Sequence, residues 1–202
     1  MQYRNTLPGW LLLSCAIFAF GSLAMAESID PHAAHRHMMT MHDVQVNHQV
    51  YQVPDVNLVD SSGQSTRLRD LLASDKPLAV NFIFTTCTTI CPVMTATMLQ
   101  LEKNLESDEV KPNYISISID PDYDTAQIMQ EYAESYGADW TFLTGSPRDV
   151  ISTLQAFDAY RGNKVNHFAL TLFRAANETE WTRVEGLTSA RELARIWRDT
   201  LL

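Results

Sequence analysis

Apolar residues in this chain keep two rhythms, which alternate. Leu78-Ala79-Val80-Asn81-Phe82-Ile83-Phe84 is a nearly continuous apolar run bounded by Lys76-Pro77 and Thr85-Thr86. That pattern predicts a strand covered on both faces, as in a parallel or mixed sheet. From Val93 to Leu105 the period becomes helical, with Met94, Met98, Leu101 and Leu105 on one stripe. Asn113 to Ile119 alternates as a strand and is broken by Asp120-Pro121. Asp124 is expected to cap the next helix, with Gln127 as its capping-box partner and Gly137 as the stop after Tyr136. Trp140 to Leu143 reads as a short strand, and Pro147 opens a helix expected to reach about Tyr160. His167 to Phe173 is a further strand, paired as a hairpin with Glu180 to Val184, and Ser189 to Leu201 closes the chain as an amphipathic helix. Upstream, Asp55 to Val59 and Gln64 to Leu68 form a hairpin about Ser61-Ser62-Gly63, followed by one helical turn from Arg69 to Ser74. Strands alternating with helices predict an α/β fold: a central mixed β-sheet flanked by helices, with an N-terminal β-hairpin.

The first fifty residues do not follow either rhythm. Met1 to Ala26 has the form of a signal peptide: Arg4 in the leader, an apolar core from Trp10 to Phe20, and Ala24-Met25-Ala26 as a small-residue cleavage site. An uncleaved anchor is the competing reading, because the apolar stretch from Trp10 to Ala26 is just long enough to approach a bilayer span. Leu12-Leu13-Ser14-Cys15 loosely resembles a lipoprotein site, but apolar residues continue past it to Ala24. Residues 27–52 read as a flexible leader without a strand, so the folded domain is expected to occupy 53–202. The leader gathers His32, His35, His37, Met38, Met39, Met41, His42 and His48. Imidazoles and thioethers bind copper in either oxidation state without a folded cage, so this segment is a candidate auxiliary metal site; a solvated tether is the alternative. The net charge of −9 makes nucleic acid and anionic membrane surfaces poor partners. Any membrane contact is expected only through the apolar N-terminal segment.

Once Cys15 leaves with the signal, Cys87 and Cys91 are the remaining cysteines. They lie in Cys87-Thr88-Thr89-Ile90-Cys91-Pro92, where the core strand turns into the helix. Unpaired N–H groups and the helix dipole at such a turn favour thiolate, the form that attacks disulfides and binds soft metals. Dithiol oxidoreductases typically leave two residues between their cysteines, and here there are three. The wider loop suits two sulfurs around one metal, and soft sulfur with an added imidazole suits copper. His167 follows all other histidines by more than a hundred positions and is the candidate imidazole. A cysteine pair at the end of the first core strand also fits a thioredoxin-like sandwich. Three functions stay open on these residues. The first is a copper-binding transfer protein using Cys87, Cys91 and His167. The second is a thiol–disulfide oxidoreductase in which Cys87 attacks and Cys91 resolves, although no proline precedes the strand at His167, where thioredoxin-type enzymes place one. The third is a peroxidase built on Thr88-Thr89-Ile90-Cys91, which Phe84 argues against by standing where that motif carries proline.

From Val53 onward the chain resembles the SCO (SenC) family of copper-handling proteins. The resemblance rests on Phe82 through Cys87, Cys91-Pro92, Ser118-Ile119-Asp120-Pro121 with Asp124-Thr125, Trp140 with Leu143-Thr144-Gly145, and Asn166-His167. It implies a thioredoxin-like domain on the periplasmic side that holds one copper ion, Cu(I) or Cu(II), through Cys87, Cys91 and His167. It also implies a metallochaperone, or a thiol reductant, for the copper site of cytochrome c oxidase, with a copper enzyme subunit or another copper carrier as partner. Two positions depart from the family pattern: Thr88-Thr89 where many members carry Pro-Asp, and Asn166 where many carry Asp. An acidic neighbour would raise imidazole basicity, and Asn cannot supply that charge.

Overall fold

The computed structural model describes residues 44–202 apart from Ser74 and Lys76. The candidate signal and the leader donors His32, His35, His37, Met38, Met39, Met41 and His42 lie outside the described residues.

An 8-stranded sheet organises the described domain. In chain order its elements are β1 (Gln45–Val50), β2 (Asn57–Asp60), β3 (Ser65–Arg67), α1 (Leu68–Leu72), β4 (Leu78–Ile83), α2 (Ile90–Asn104), β5 (Asn113–Ser118) and α3 (Ala126–Tyr136). There follow β6 (Thr141–Thr144), α4 (Pro147–Ala156), a single 3₁₀ turn (Lys164–Asn166), β7 (Leu170–Arg174), β8 (Glu180–Glu185) and α5 (Ala190–Thr200). The strand order is β1-β8-β7-β4-β5-β6-β2-β3. β4, β5 and β6 are parallel, and the remaining pairings are antiparallel, so the sheet is mixed as expected.

β4 is buried at every position because helices cover both faces of the sheet. On one face Ala79, Phe173 and Val184 pack against Met98 and Leu101 of α2 and Leu193, Ile196 and Trp197 of α5. On the other, Val80, Phe82, Ile115 and Leu172 pack against Leu68 and Leu72 of α1 and Val150 and Leu154 of α4. A third cluster joins Ile83, Cys87, Cys91 and Phe142 to Met129 and Ala133 of α3. Arg183, fully buried in β8, is satisfied inside the second face: it donates to the carbonyls of Phe157 and Asp158 and to the Tyr51 hydroxyl, and it pairs with Glu185.

Four expectations need correction. The segment before Val53 contains a strand, β1, in register with β8 from Gln45 opposite Glu185 to Val50 opposite Glu180. His48 therefore belongs to the sheet, where it lies near Glu180 and Thr182. Asp124 does not cap α3; Thr125 does, its side chain accepting the Ile128 N–H at 3.2 Å, while Asp124 turns inward. α4 stops at Ala156, short of Tyr160. His167 precedes β7 instead of starting it, because Asn163 caps a 3₁₀ turn just before it and its side chain accepts the Val165 N–H. The helix stop at Gly137 is as expected, with φ at 67°.

Candidate metal and dithiol site

The parallel arrangement of β4 and β5, with β7 running back against β4, brings three chain segments to one end of the sheet. They are the cysteine turn after β4, the Asp120–Asp124 loop after β5, and the His167 segment before β7.

α2 begins at Ile90, three residues earlier than its apolar stripe predicts, so Cys91 sits in its first turn. No side chain oxygen caps this helix. The Cys87 sulfur takes that place: it accepts the Cys91 N–H at 3.4 Å and lies 3.6 Å from the Thr89 hydroxyl. Both thiols are free and little exposed, Cys87 at 8 % and Cys91 at 0 %. Their acidities diverge. Burial alone would raise Cys87, but the N–H groups of Cys91 and Thr89 and the Thr89 hydroxyl outweigh it and bring its pKa down from 9.0 to about 7. Deeper burial, together with the neighbouring Cys87 and the Asp124 charge, pushes the Cys91 thiol well up. One sulfur leans toward thiolate and the other is kept protonated.

Asp124 lies beneath this turn, fully buried. Its carboxylate accepts the Thr85 N–H at 3.3 Å, the Thr85 hydroxyl at 2.5 Å and the Ser118 hydroxyl at 2.5 Å, and its carbonyl accepts the Thr144 hydroxyl at 2.5 Å. Burial raises its pKa against these hydrogen bonds. Asp124 thereby ties together the ends of β4, β5 and β6 under the cysteines. Sequence reasoning assigned it to a helix cap; the usable signal was Thr125, a capping residue one position nearer the helix.

His167 docks on the strand that leads to the cysteines: its Nε2 is 2.9 Å from the Phe82 carbonyl. A carbonyl only accepts, so Nε2 carries the proton and Nδ1 keeps its lone pair. Nδ1 is buried without a hydrogen-bond partner. Burial, aided by the Arg161 charge and opposed by the Phe82 bond, lowers the His167 pKa to about 4, and this net lowering keeps the ring neutral. The imidazole stands edge-on to Phe84, centroids 6.2 Å apart at 74°. Among the described residues no three His, Cys, Asp or Glu side chains stand close enough to share a metal ion, so His167 is not assembled with the two sulfurs here. The donor types fit a soft metal nonetheless: a thiolate-leaning sulfur, a second sulfur one helical turn away, and a neutral imidazole with an orphaned nitrogen. The spacing of the sequence points to the three candidate donors but not to Thr89, which sits by Cys87, or to Phe84, which meets the imidazole.

A cavity of about 290 Å³ adjoins His167, walled by Pro121, Pro147, Ile151 and Tyr160, with Asp120 and Lys164 paired at its rim. Among the described residues no helix is long and apolar enough to cross a membrane.

The comparisons with known proteins converge. The SCO1/SenC family model matches residues 46–199, which takes in all of β1 but Gln45 and the three candidate donors Cys87, Cys91 and His167. An SCO1 protein homolog of Bacillus subtilis is 31% identical over 62% of this chain and 58% of its own length. An SCO2-like protein of Rickettsia typhi is 28% identical over 50% of this chain and 48% of its own. The matched part of the chain thus spans about half the length of these relatives. Among solved structures, BsSco, described as a member of the Sco family of cytochrome c oxidase assembly proteins, superposes with a TM-score of 0.64 at 25% identity, covering 77% of this chain and 96% of its own. Arabidopsis thaliana ScoI, solved with copper bound, gives 0.65 at 21% identity over 76% and 98%, and shares the fold. A thioredoxin-like mixed sheet, a cysteine turn at its strand end and a family match across nearly the whole described domain lead to one conclusion: this chain belongs to the SCO1/SenC family.

Proposed function

We propose that this protein is an exported copper metallochaperone that takes one copper ion on Cys87, Cys91 and His167 and passes it to a copper enzyme such as cytochrome c oxidase. The observation that carries this reading is that complementary candidate donors, not yet assembled, stand on segments that meet at one end of the sheet. Cys87 is lowered toward thiolate, and His167 presents a lone pair on a buried, unpartnered Nδ1. Relatives support it: yeast Sco1 and Arabidopsis ScoI have been solved with copper bound, and BsSco is described as belonging to a family of cytochrome c oxidase assembly proteins. Export fits the candidate signal at 1–26 and the description of a Bacillus anthracis structural relative as a lipoprotein. Copper is cargo in this scheme. The chain's own part is to supply two sulfurs whose protonation differs and an imidazole fixed in one tautomer. Taking up the ion on all three requires the cysteine turn and the His167 segment to close on each other. The leader donors His32, His35, His37, Met38, Met39, Met41 and His42 would collect copper for that site.

Competitive titration of the reduced protein with Cu(I) against a chromophoric chelator tests this. One tightly held equivalent is expected, weakened strongly by Cys87→Ser or Cys91→Ser and measurably by His167→Ala. Unchanged affinity in all three variants removes the proposal. A second reading, thiol–disulfide exchange with a partner's cysteines, is favoured by one observation: the split acidity of the pair, a thiolate-leaning Cys87 above a protonated Cys91. The two readings are compatible, since a recipient's cysteines must be reduced before they accept copper.

A further inference from the structure

Phe84 reaches all three candidate donors. Its carbonyl accepts the Cys87 N–H at 3.2 Å, and its own backbone eases the upward push on the Cys91 thiol. Its ring packs against the cluster that holds both cysteines and meets the His167 imidazole edge-to-face. Lys164, three residues before His167, sets its ammonium over the same ring, 5.6 Å from the centroid, and is itself fixed by an ion pair with Asp120 at the end of β5. One 3₁₀ turn therefore presents both a cation and an imidazole to a single aromatic ring.

The consequence follows from what a lone hydrogen bond leaves free. The contact of Nε2 with the Phe82 carbonyl fixes one point of the imidazole and does not stop the ring from swinging about that point. Phe84 limits the swing on one side, and Phe168, with its centroid 6.2 Å from the imidazole, adds a second wall. The main chain of Phe84 is hydrogen-bonded to Cys87 and belongs to the turn that packs on Cys91, so its ring has a fixed origin, and the cation–π contact with Lys164 holds the ring in place. We propose that Phe84 is a positioning residue for the metal site: pinned by Lys164, its ring keeps the His167 imidazole on the Phe82 carbonyl and leaves Nδ1 as the donor nitrogen. This inference rests on the reading of His167 as a ligand and assigns the residue that prepares it.

The test uses the reduced full-length protein carrying Phe84→Leu, Phe84→Tyr or Lys164→Met, with two readouts. The first needs no copper: long-range 15N–1H spectra report which ring nitrogen of His167 carries the proton. Wild type and Phe84→Tyr are expected to show one tautomer with Nδ1 unprotonated, and Phe84→Leu an averaged or mixed signal. Lys164→Met, a substitution at a part-exposed side chain that leaves the core untouched, is expected to shift the signal in the same direction by less. The second readout is Cu(I) affinity. Phe84→Leu is expected to lose about tenfold, the scale typical of residues that orient a metal-binding histidine. Phe84→Tyr should restore most of it, and His167→Ala should cost less in the Phe84→Leu background than in wild type. A single unperturbed tautomer in Phe84→Leu, with the full His167→Ala penalty still present, overturns the assignment. If His167→Ala binds Cu(I) as tightly as wild type, the ligand reading itself fails, and the tautomer comparison still decides whether Phe84 seats the ring.

Discussion

The divergent acidity of the two thiols is open to direct measurement. Lowering Cys87 from 9.0 to about 7 corresponds to about 3 kcal/mol of preference for the thiolate, taking 1.36 kcal/mol per unit. At neutral pH roughly half of Cys87 is then ionised, against about one per cent for an unshifted thiol. The stabilising groups are the backbone N–H of Cys91 at 3.4 Å, the backbone N–H of Thr89, and the Thr89 hydroxyl at 3.6 Å. Thr89→Val deletes only the hydroxyl. A hydrogen bond to a charged group is worth about 1.5–3 kcal/mol, and so long a contact belongs below that range, so the variant should raise the Cys87 pKa by about half a unit to one unit. The assay is the rate of iodoacetamide alkylation of the metal-free reduced protein from acid to mildly alkaline pH, with the modified residue identified by mass spectrometry. Cys87 should react with an inflection near 7, and Cys91 should stay unmodified throughout. The sign of the linkage is fixed as well. A thiol whose folded pKa is depressed adds stability as pH rises from its folded toward its unfolded value, so the Cys87 term grows between about 7 and 9 and is lost on acidification. A wild-type inflection at or above 8.5, or Thr89→Val abolishing the whole shift, would refute this reasoning, since backbone donors at the helix start would then contribute nothing.

Three further outcomes are expected. His167 is partly buried and neutral, with its pKa lowered from 6.5 to about 4, so the unfolded chain binds its proton first; stability should fall by up to roughly 3 kcal/mol as pH drops through that interval. His167→Phe should remove that acid-sensitive part of the urea-denaturation profile, and an identical pH profile would count against the buried neutral ring. Asp124→Ala strands the Thr85 N–H and the Thr85 and Ser118 hydroxyls, and chemical denaturation should show a loss of about 2–4 kcal/mol. A loss under 1 kcal/mol would mean these donors find other partners. A chain begun at Val53 lacks β1 and exposes the β8 edge; its thermal midpoint should fall below that of a chain begun at Val44, and equal midpoints would show that β1 adds no stability.

Much of this fold could be read from the sequence because its central elements carry strong periodicity. β4 is a continuous apolar run, and α2 and α5 each carry an apolar stripe that meets the sheet in one cluster. β1 was hidden for a physical reason: as an edge strand it is exposed at most positions, so Gln45 to Val50 shows no alternation, and only its pairing with β8 makes it a strand. Asp124 was misassigned because a carboxylate before a helix has the same local signature whether it caps or points inward; the Thr85 and Ser118 partners that decide the matter are distant in sequence or on another element. The cysteine turn was legible from local spacing alone. His167 could be named from its isolation, but its partner, the Phe82 carbonyl, is 85 positions away and carries no side-chain signal. The buried Arg183 was equally invisible, since two of its partners are backbone carbonyls just after α4 and the Tyr51 hydroxyl lies far away in sequence.

Copper K-edge X-ray absorption on the reduced protein loaded with one equivalent of Cu(I) tests the metal assignment most directly. The expected coordination is two sulfurs and one imidazole nitrogen, with the nitrogen shell lost in His167→Ala and a sulfur lost in Cys87→Ser or Cys91→Ser. A spectrum that is the same for wild type and His167→Ala would contradict the assignment of the imidazole beside the dithiol turn as the third ligand.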